Sequence, residues 1–217
     1  MHQNGLLELI FLLMEVIQRS NCRIIRFINS FFSSNTYFII LNNRECWMID
    51  CGDFTPLQKY INSNNLILKG VLLTHTHYDH IYGLNNLVDT YRNINIYTND
   101  FGQKALVSNK LNLSKYHNEN FKLQGGNIIE VFHNDKIRLN ETTNIVFYFV
   151  PGHDKSSIMF EIGDCYFTGD AYIPGKRTIL AFPNSNKVDQ KKSAIFIENK
   201  IRYANIFAGH GSVVLVN

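Results

Sequence analysis

No Cys-x-x-Cys pair occurs, and the four cysteines, at positions 22, 46, 51 and 165, follow no regular spacing. A disulfide framework is unusual in a chain of 217 residues, and a thiolate zinc site needs paired cysteines. The thiols read instead as scattered buried residues in a reducing compartment. Charge of one sign is missing too: 21 Lys and Arg stand against 18 Asp and Glu, for a net +3. No basic run stands out, so charge gives no footprint for nucleic acid. Long hydrophobic runs are absent. The apolar stretch 6–17 is interrupted by Glu8 and Glu15 and is too short to span a bilayer. It has neither a basic segment before it nor a small-residue cleavage site after it. The expectations are therefore a cytoplasmic protein and no membrane partner. A linker, an internal repeat and a Gly-x-Ser-x-Gly nucleophile elbow are also missing.

A core is there in quantity. Hydrophobic residues make up 45% and charged residues 18%, which excludes disorder over most of the chain. Leu6, Leu9, Ile10, Leu13, Val16 and Ile17 fit one helical face. Residues 1–21 are therefore expected to form an apolar helix or extension, packed on the domain or on a second copy in a homodimer. A second reading makes Met14 the start. Residues 22–217 read as one domain. Strands are expected over 23–29, 36–41, 45–49, 70–73, 94–97, 128–132, 137–139, 145–150, 157–162, 165–168 and 206–208. Helices are expected over 56–61, with Thr55 as N-cap, and over 84–91, 100–108 and 189–202. The polar stretch 109–126 reads as a loop with one short helix. This mixture suits sheets covered by helices.

The chemistry is concentrated where apolar strands stop. The run 70–73 ends at Thr-His-Thr-His-Tyr-Asp-His, which holds His75, His77, Asp79 and His80. On a turn at a strand end, imidazoles and a carboxylate can converge on a metal. Three later strands end in Pro-Gly-His (His153), Thr-Gly-Asp (Asp170) and Gly-His-Gly (His210). Each puts one candidate ligand beside a glycine that lets the backbone turn sharply. His2, His117 and His133 lie in polar surroundings and read as surface histidines. A hydroxide on a metal held there could attack a carbonyl or a phosphorus without a Ser or Cys nucleophile.

These motifs, in this order, resemble those of the metallo-β-lactamase-fold hydrolase superfamily, over the chain from about residue 22 to the end. Ile49-Asp50-Cys51-Gly52 resembles the family's Ile-Asp-x-Gly turn. The resemblance implies an α/β, four-layer αββα sandwich with metals at one edge, between two mixed sheets. It implies His75, His77 and His153 on a first metal, Asp79, His80 and His210 on a second, and Asp170 bridging both. Asp50 would orient a ligand. Two Zn2+ are the implied cofactors, with iron or manganese as alternatives. Asp79, Asp170 and Tyr172 are the implied catalytic residues, Asp79 as a proton shuttle and Tyr172 as a hydrogen-bond donor to a substrate oxygen. Lys176 and Arg177 could meet an anionic group, and Tyr78 and Tyr82 could wall the site.

The pattern is most similar to the glyoxalase II and lactonase-like branches. The expected substrate is a small thioester or other carboxylic ester. A phosphodiesterase and an iron-dependent, persulfide dioxygenase-like enzyme stand as alternatives. The chain leaves no room for the C-terminal helical domain of glyoxalase II. It also departs from the family at Asp154-Lys155-Ser156-Ser157, after the Pro-Gly-His, and at the final Ala-Gly-His-Gly.

Overall fold

Alternation along single strands shows how the layers form. In the computed structural model, which describes residues 14–19, 22–141 and 143–216, β3 (Asn35–Ile40) turns Phe38 and Ile40 to one side and Tyr37 and Ile39 to the other. The next strand, β4 (Glu45–Ile49), does the same with Cys46 and Met48 against Trp47 and Ile49. A strand apolar on both faces must be covered on both. One face of their sheet meets helices, and the other meets a second sheet.

The first sheet has seven strands. Its edge is β1 (Met14–Gln18), followed by β2 (Arg23–Ile28), β3, β4, β5 (Ile67–Leu72), β6 (Asn95–Thr98) and β7 (Asn127–Glu130). Pairing is antiparallel from β1 to β4 and parallel from β4 to β7. The second sheet runs β12 (Asn205–Ala208), β11 (Cys165–Gly169), β10 (Ile158–Ile162), β9 (Asn144–Phe149) and β8 (Lys136–Arg138). Only β11–β12 is parallel there. Both sheets are mixed, as expected.

Three apolar layers hold the four structural layers together. Outside the first sheet, Leu57 and Ile61 of α1 (Phe54–Ser63), with Leu84 and Leu87 of α3 (Leu84–Thr90), pack on Phe38, Met48 and Val71. Between the sheets, Tyr37, Ile39 and Leu72 meet Phe147, Phe160, Phe167 and Phe207. Outside the second sheet, Ile197 of α5 (Lys187–Lys200), with Ile201 just beyond it, covers Tyr148, Met159 and Ile206. Two shorter helices, α2 (Tyr78–Ile81) and α4 (Asp100–Leu106), complete the set. This is the expected αββα sandwich. All four cysteines are buried and free.

The N-terminal expectation needs correction. Residues 14–18 form a strand, not the end of a helix, and they pair antiparallel with β2 from Met14↔Phe27 to Gln18↔Arg23. Glu15 faces Arg26 in that register and accepts a 2.9 Å hydrogen bond from its guanidinium. Ile17 is buried while Val16 is exposed, a period of two rather than 3.6. The segment is therefore part of the first sheet. Leu6, Leu9, Ile10 and Leu13 lie outside the described residues. At α1 the N-cap is Asp53 rather than Thr55. The stretch 109–126 carries one short 3₁₀ turn, Ser114–His117.

Candidate metal centre

Every element that carries a candidate ligand ends at the same edge of the sandwich. His75 and His77 follow β5, and Asp79 and His80 lie on α2 immediately after. His153 follows β9, Asp170 follows β11, and His210 follows β12. Their side chains form two neighbouring clusters, His75–His77–His153 and Asp79–His80–His210, each with its ligand atoms within 4.8 Å of one another. In the first, His153 Nε2 lies 3.0 Å from His77 Nδ1. In the second, His80 Nε2 lies 3.3 Å from His210 Nε2 and 3.4 Å from Asp79 Oδ2.

Asp170 stands between them. Its Oδ2 is 3.7 Å from His153 Nε2 and 3.4 Å from His210 Nε2, and its Oδ1 is 3.7 Å from His80 Nε2. The approach depends on Gly209, where a Cβ would collide with the Asp170 carboxylate. The loop carrying Gly209 and His210 is tied down at several points. Asn35 N donates to Gly209 O, Asn35 Nδ2 to the Ala208 carbonyl, and the Tyr37 hydroxyl to that same carbonyl at 2.6 Å.

Four of the five candidate histidine rings are oriented from behind. Asp50 is wholly buried and has a left-handed backbone, φ 57°. Its Oδ2 lies 2.9 Å from His80 Nδ1 and accepts from the Thr74 hydroxyl, while Oδ1 accepts from Thr74 N. Both oxygens are thus engaged by Thr74 and His80, which suits Asp50 to orienting the His80 ring, although its carboxylate also lies with His75 and His80 in a third group of close ligand atoms. Thr74 Oγ1 in turn lies 3.1 Å from His75 Nδ1. His153 Nδ1 donates to the Ile179 carbonyl at 3.0 Å. His77 has a carboxylate partner that the sequence reading did not identify: Asp154 Oδ2 lies 3.3 Å from His77 Nε2. That separation is longer than a well-aligned hydrogen bond. Asp154 is fully buried, and its other oxygen takes both the N–H and the hydroxyl of Ser156. The signal was an acidic residue immediately after a candidate ligand.

The electrostatics follow from this geometry. Burial, reinforced by the neighbouring histidines, pushes His75 well below the usual histidine range and brings His153 down to about 4. Burial also opposes charge on His80 and His210. The surrounding carboxylates overcome it and raise them to about 9 and about 10. Asp170 is held well below the usual carboxylate range: burial disfavours its charge, but the His210 hydrogen bond and the charges of His80, His210 and His153 outweigh it. Asp79 is lowered in the same way, by His80 and His210 against burial. The His75 Nε2 and Asp170 Oδ1 atoms are buried without a hydrogen-bond partner. Such atoms are costly unless something fills their coordination. Imidazole nitrogens and carboxylate oxygens converging on shared points suit divalent transition metals, so the residues fit a metal pair.

A cavity of about 420 Å³ opens onto the clusters. Tyr78, Asp79, Lys176 and Arg177 line it. So does His117, which is not the plain surface residue expected: it is half-buried, between the rings of Phe31 and Phe32 and that of Tyr78. His133 is exposed, and His2 lies outside the described residues. Tyr172 is not brought to the cavity. It packs beside the apolar cluster under α5, and its carbonyl accepts from the Thr168 hydroxyl. Tyr82 is also turned away and donates to Asp53 at 2.7 Å.

Comparison with known proteins agrees with the motifs. A hydroxyacylglutathione hydrolase of Pseudoalteromonas translucida is 32% identical over 148 residues, 66% of this chain and 49% of that protein. One of Hydrogenovibrio crunogenus is 28% identical over 134 residues, 62% of this chain and 42% of that protein. The chain thus spans about half the length of these curated relatives or less. Among solved structures, the BLEG-1 B3 metallo-beta-lactamase superposes with a TM-score of 0.77 at 20% identity, covering 88% of this chain and 93% of that one. ETHE1 from Myxococcus xanthus gives 0.68 at 22%, covering 86% and 75%. These two likenesses show the fold. A family model spanning residues 29–210 takes in six of the seven strand-end ligands and reaches the seventh at its last residue. The chain belongs to the metallo-beta-lactamase superfamily.

Proposed function

We propose that this chain is a metal-dependent hydrolase that cleaves a small thioester, or a related carboxylic ester, at a dinuclear zinc site. The observation that carries the reading is Asp170, which lies within 3.7 Å of ring nitrogens from both histidine clusters. His75, His77 and His153 would hold one metal and Asp79, His80 and His210 the other, with Asp170 touching both. When bound, such a pair lowers the pKa of water toward neutrality and polarises an ester carbonyl. The protein's part is to fix the ligands. Asp50, Asp154 and the Ile179 carbonyl hold three rings in position, and burial keeps His75 and His153 neutral. Asp79 lines the cavity in its ionised form, placed to take a proton and pass it to the leaving group. Lys176 and Arg177 are exposed at the cavity, and among the described residues neither is ion-paired, so they can attract an anionic part of the substrate.

The relatives' name, hydroxyacylglutathione hydrolase, supports an acyl–sulfur bond as the target. The complete Asp79–His80–His210 cluster favours two metals over the mononuclear iron of a persulfide dioxygenase-like enzyme. The test is elemental analysis of protein purified without added metal, beside turnover of thioester, lactone, β-lactam and phosphodiester substrates. About two zincs per chain with thioester or ester turnover, lost in Asp170→Ala, is the expected result. One iron per chain without hydrolysis would overturn it, as would phosphodiester turnover alone.

A further inference from the structure

Away from the metal clusters, the cavity is walled by Phe32, Leu113, Ile173, Ile179 and Phe182, and among the described residues no Ser, Thr, Asn or Gln lines it. These apolar residues come from three separate places: the β2–β3 loop, the approach to the 3₁₀ turn, and the segment between β11 and α5. Phe32 and Ile179 are also 61% and 59% exposed, so apolar surface continues to the mouth. Bulky side chains left in water at a cavity rim mark a place where something apolar is to be covered.

The backbone supports the same reading. Phe32 has φ 52° and Leu113 φ 66°, the left-handed region that non-glycine residues enter at a cost. Two loops hold bulky apolar residues in that conformation at a single cavity. The His117 ring, 5.2 Å from that of Phe32, extends the wall and joins the two loops. Polar atoms within the cavity are concentrated in the metal clusters, in Tyr78 and His117, and in the two exposed cations, Lys176 and Arg177.

We infer that the acyl half of the substrate is apolar, an unbranched chain of roughly four to eight carbons or an aryl group, seated between Phe32, Leu113 and Phe182. The inference rests on the hydrolase reading and narrows it. Seated against Phe32, Leu113 and Phe182, a hydroxyl on the acyl group would lose water without a side-chain partner from those three residues, which makes a hydroxyacyl substrate the poorer one. Any negative charge then belongs on the leaving half, within reach of Lys176 and Arg177.

The experiment uses the metal-loaded full chain and acyl thioesters of 3-mercaptopropionate from acetyl to octanoyl, beside S-lactoylglutathione. Binding of the matching hydrolysis-inert thioethers is measured in parallel. Each added methylene is expected to raise kcat/KM and thioether affinity roughly threefold up to hexanoyl. S-Lactoylglutathione should fall below the hexanoyl ester. Phe32→Ala, at a position 61% exposed, should cut the chain-length gain by more than half, both in kcat/KM and in thioether affinity. A flat chain-length series in both measurements overturns the inference, as does a preference for S-lactoylglutathione. Thioether binding that climbs with chain length while no thioester is cleaved would leave the apolar subsite standing and overturn the hydrolase reading alone.

Discussion

Asp154 is a single residue on which a metal site turns. Its Oδ1 is committed as an acceptor to two donors on Ser156, which leaves only Oδ2 to face His77 Nε2. A carboxylate there keeps the ring proton on Nε2, so that Nδ1, 3.0 Å from His153 Nε2, is free to bind metal. In Asp154→Asn the oxygen stays with Ser156 and the amide nitrogen is forced toward His77. A donor facing Nε2 favours the tautomer with its proton on Nδ1, the ligating atom. Metal affinity at the His75–His77–His153 cluster should fall about 10–100-fold, measured by competition with a chromophoric chelator. Unchanged affinity would show that Asp154 does not set the tautomer. The sequence carried this residue only as a departure from the family pattern. Its role depends on complete burial and on an approach to a residue 77 positions earlier in the chain, neither of which a local pattern encodes. The seven candidate ligands that the structure brings together were legible because they stand where apolar runs stop abruptly. Tyr172 looked equally well placed by its distance from Asp170. It turns the other way because the apolar cluster under α5 offers it a packing site.

Among the elements, the turn after β12 is the most constrained. Gly209 N donates to Gly169 O, its own carbonyl accepts from Asn35, and its missing side chain makes room for Asp170. Gly209→Ala should therefore push Asp170 and His80 apart. The expected result is a stability cost of about 1–3 kcal/mol, read by denaturant melts. It should also show retention of about one metal per chain where the parent protein holds two, read by elemental analysis. Two metals retained with parental stability would refute the steric argument. Glycine in Gly-His-Gly was visible in the sequence as a turn former, but its second task, clearing space for a carboxylate from another strand, was not. Strand and helix types were legible wherever both faces of a strand or one face of a helix showed their period, as in β3, β4 and α1. The segment 14–18 misled because five residues of mixed polarity fit either period. Pairing with the free edge of β2, and the Glu15–Arg26 contact across it, decides for a strand.

At the scale of the molecule, the site couples metal loading to pH, and the two clusters do so with opposite sign. In the metal-free protein His80 and His210 titrate at about 9 and about 10, above the ordinary 6.5. Their contribution to folding is complete below pH 6.5 and is lost as pH climbs through 9 to 10. His75 and His153 are shifted down, the latter to about 4, so their contribution is present above pH 6.5 and is lost as pH falls toward 4. The metal-free chain should therefore be most stable near pH 6.5, with melting temperature falling on both sides, toward pH 4 and toward pH 9 to 10. Metal reverses the basic limb, because a ligand must surrender its proton to bind. At pH 7 the Asp79–His80–His210 cluster has two protons to release, whereas His75 and His153 have none. The His75–His77–His153 cluster should thus fill first near neutrality. The second equivalent of zinc should bind more tightly as pH rises toward 10, with up to two protons released per metal at pH 7 and only about half a proton at pH 10. Calorimetry in buffers of different ionisation enthalpy counts those protons directly. A second binding step that releases the same number at both pH values would mean that the carboxylates around Asp170 do not hold His80 and His210 charged.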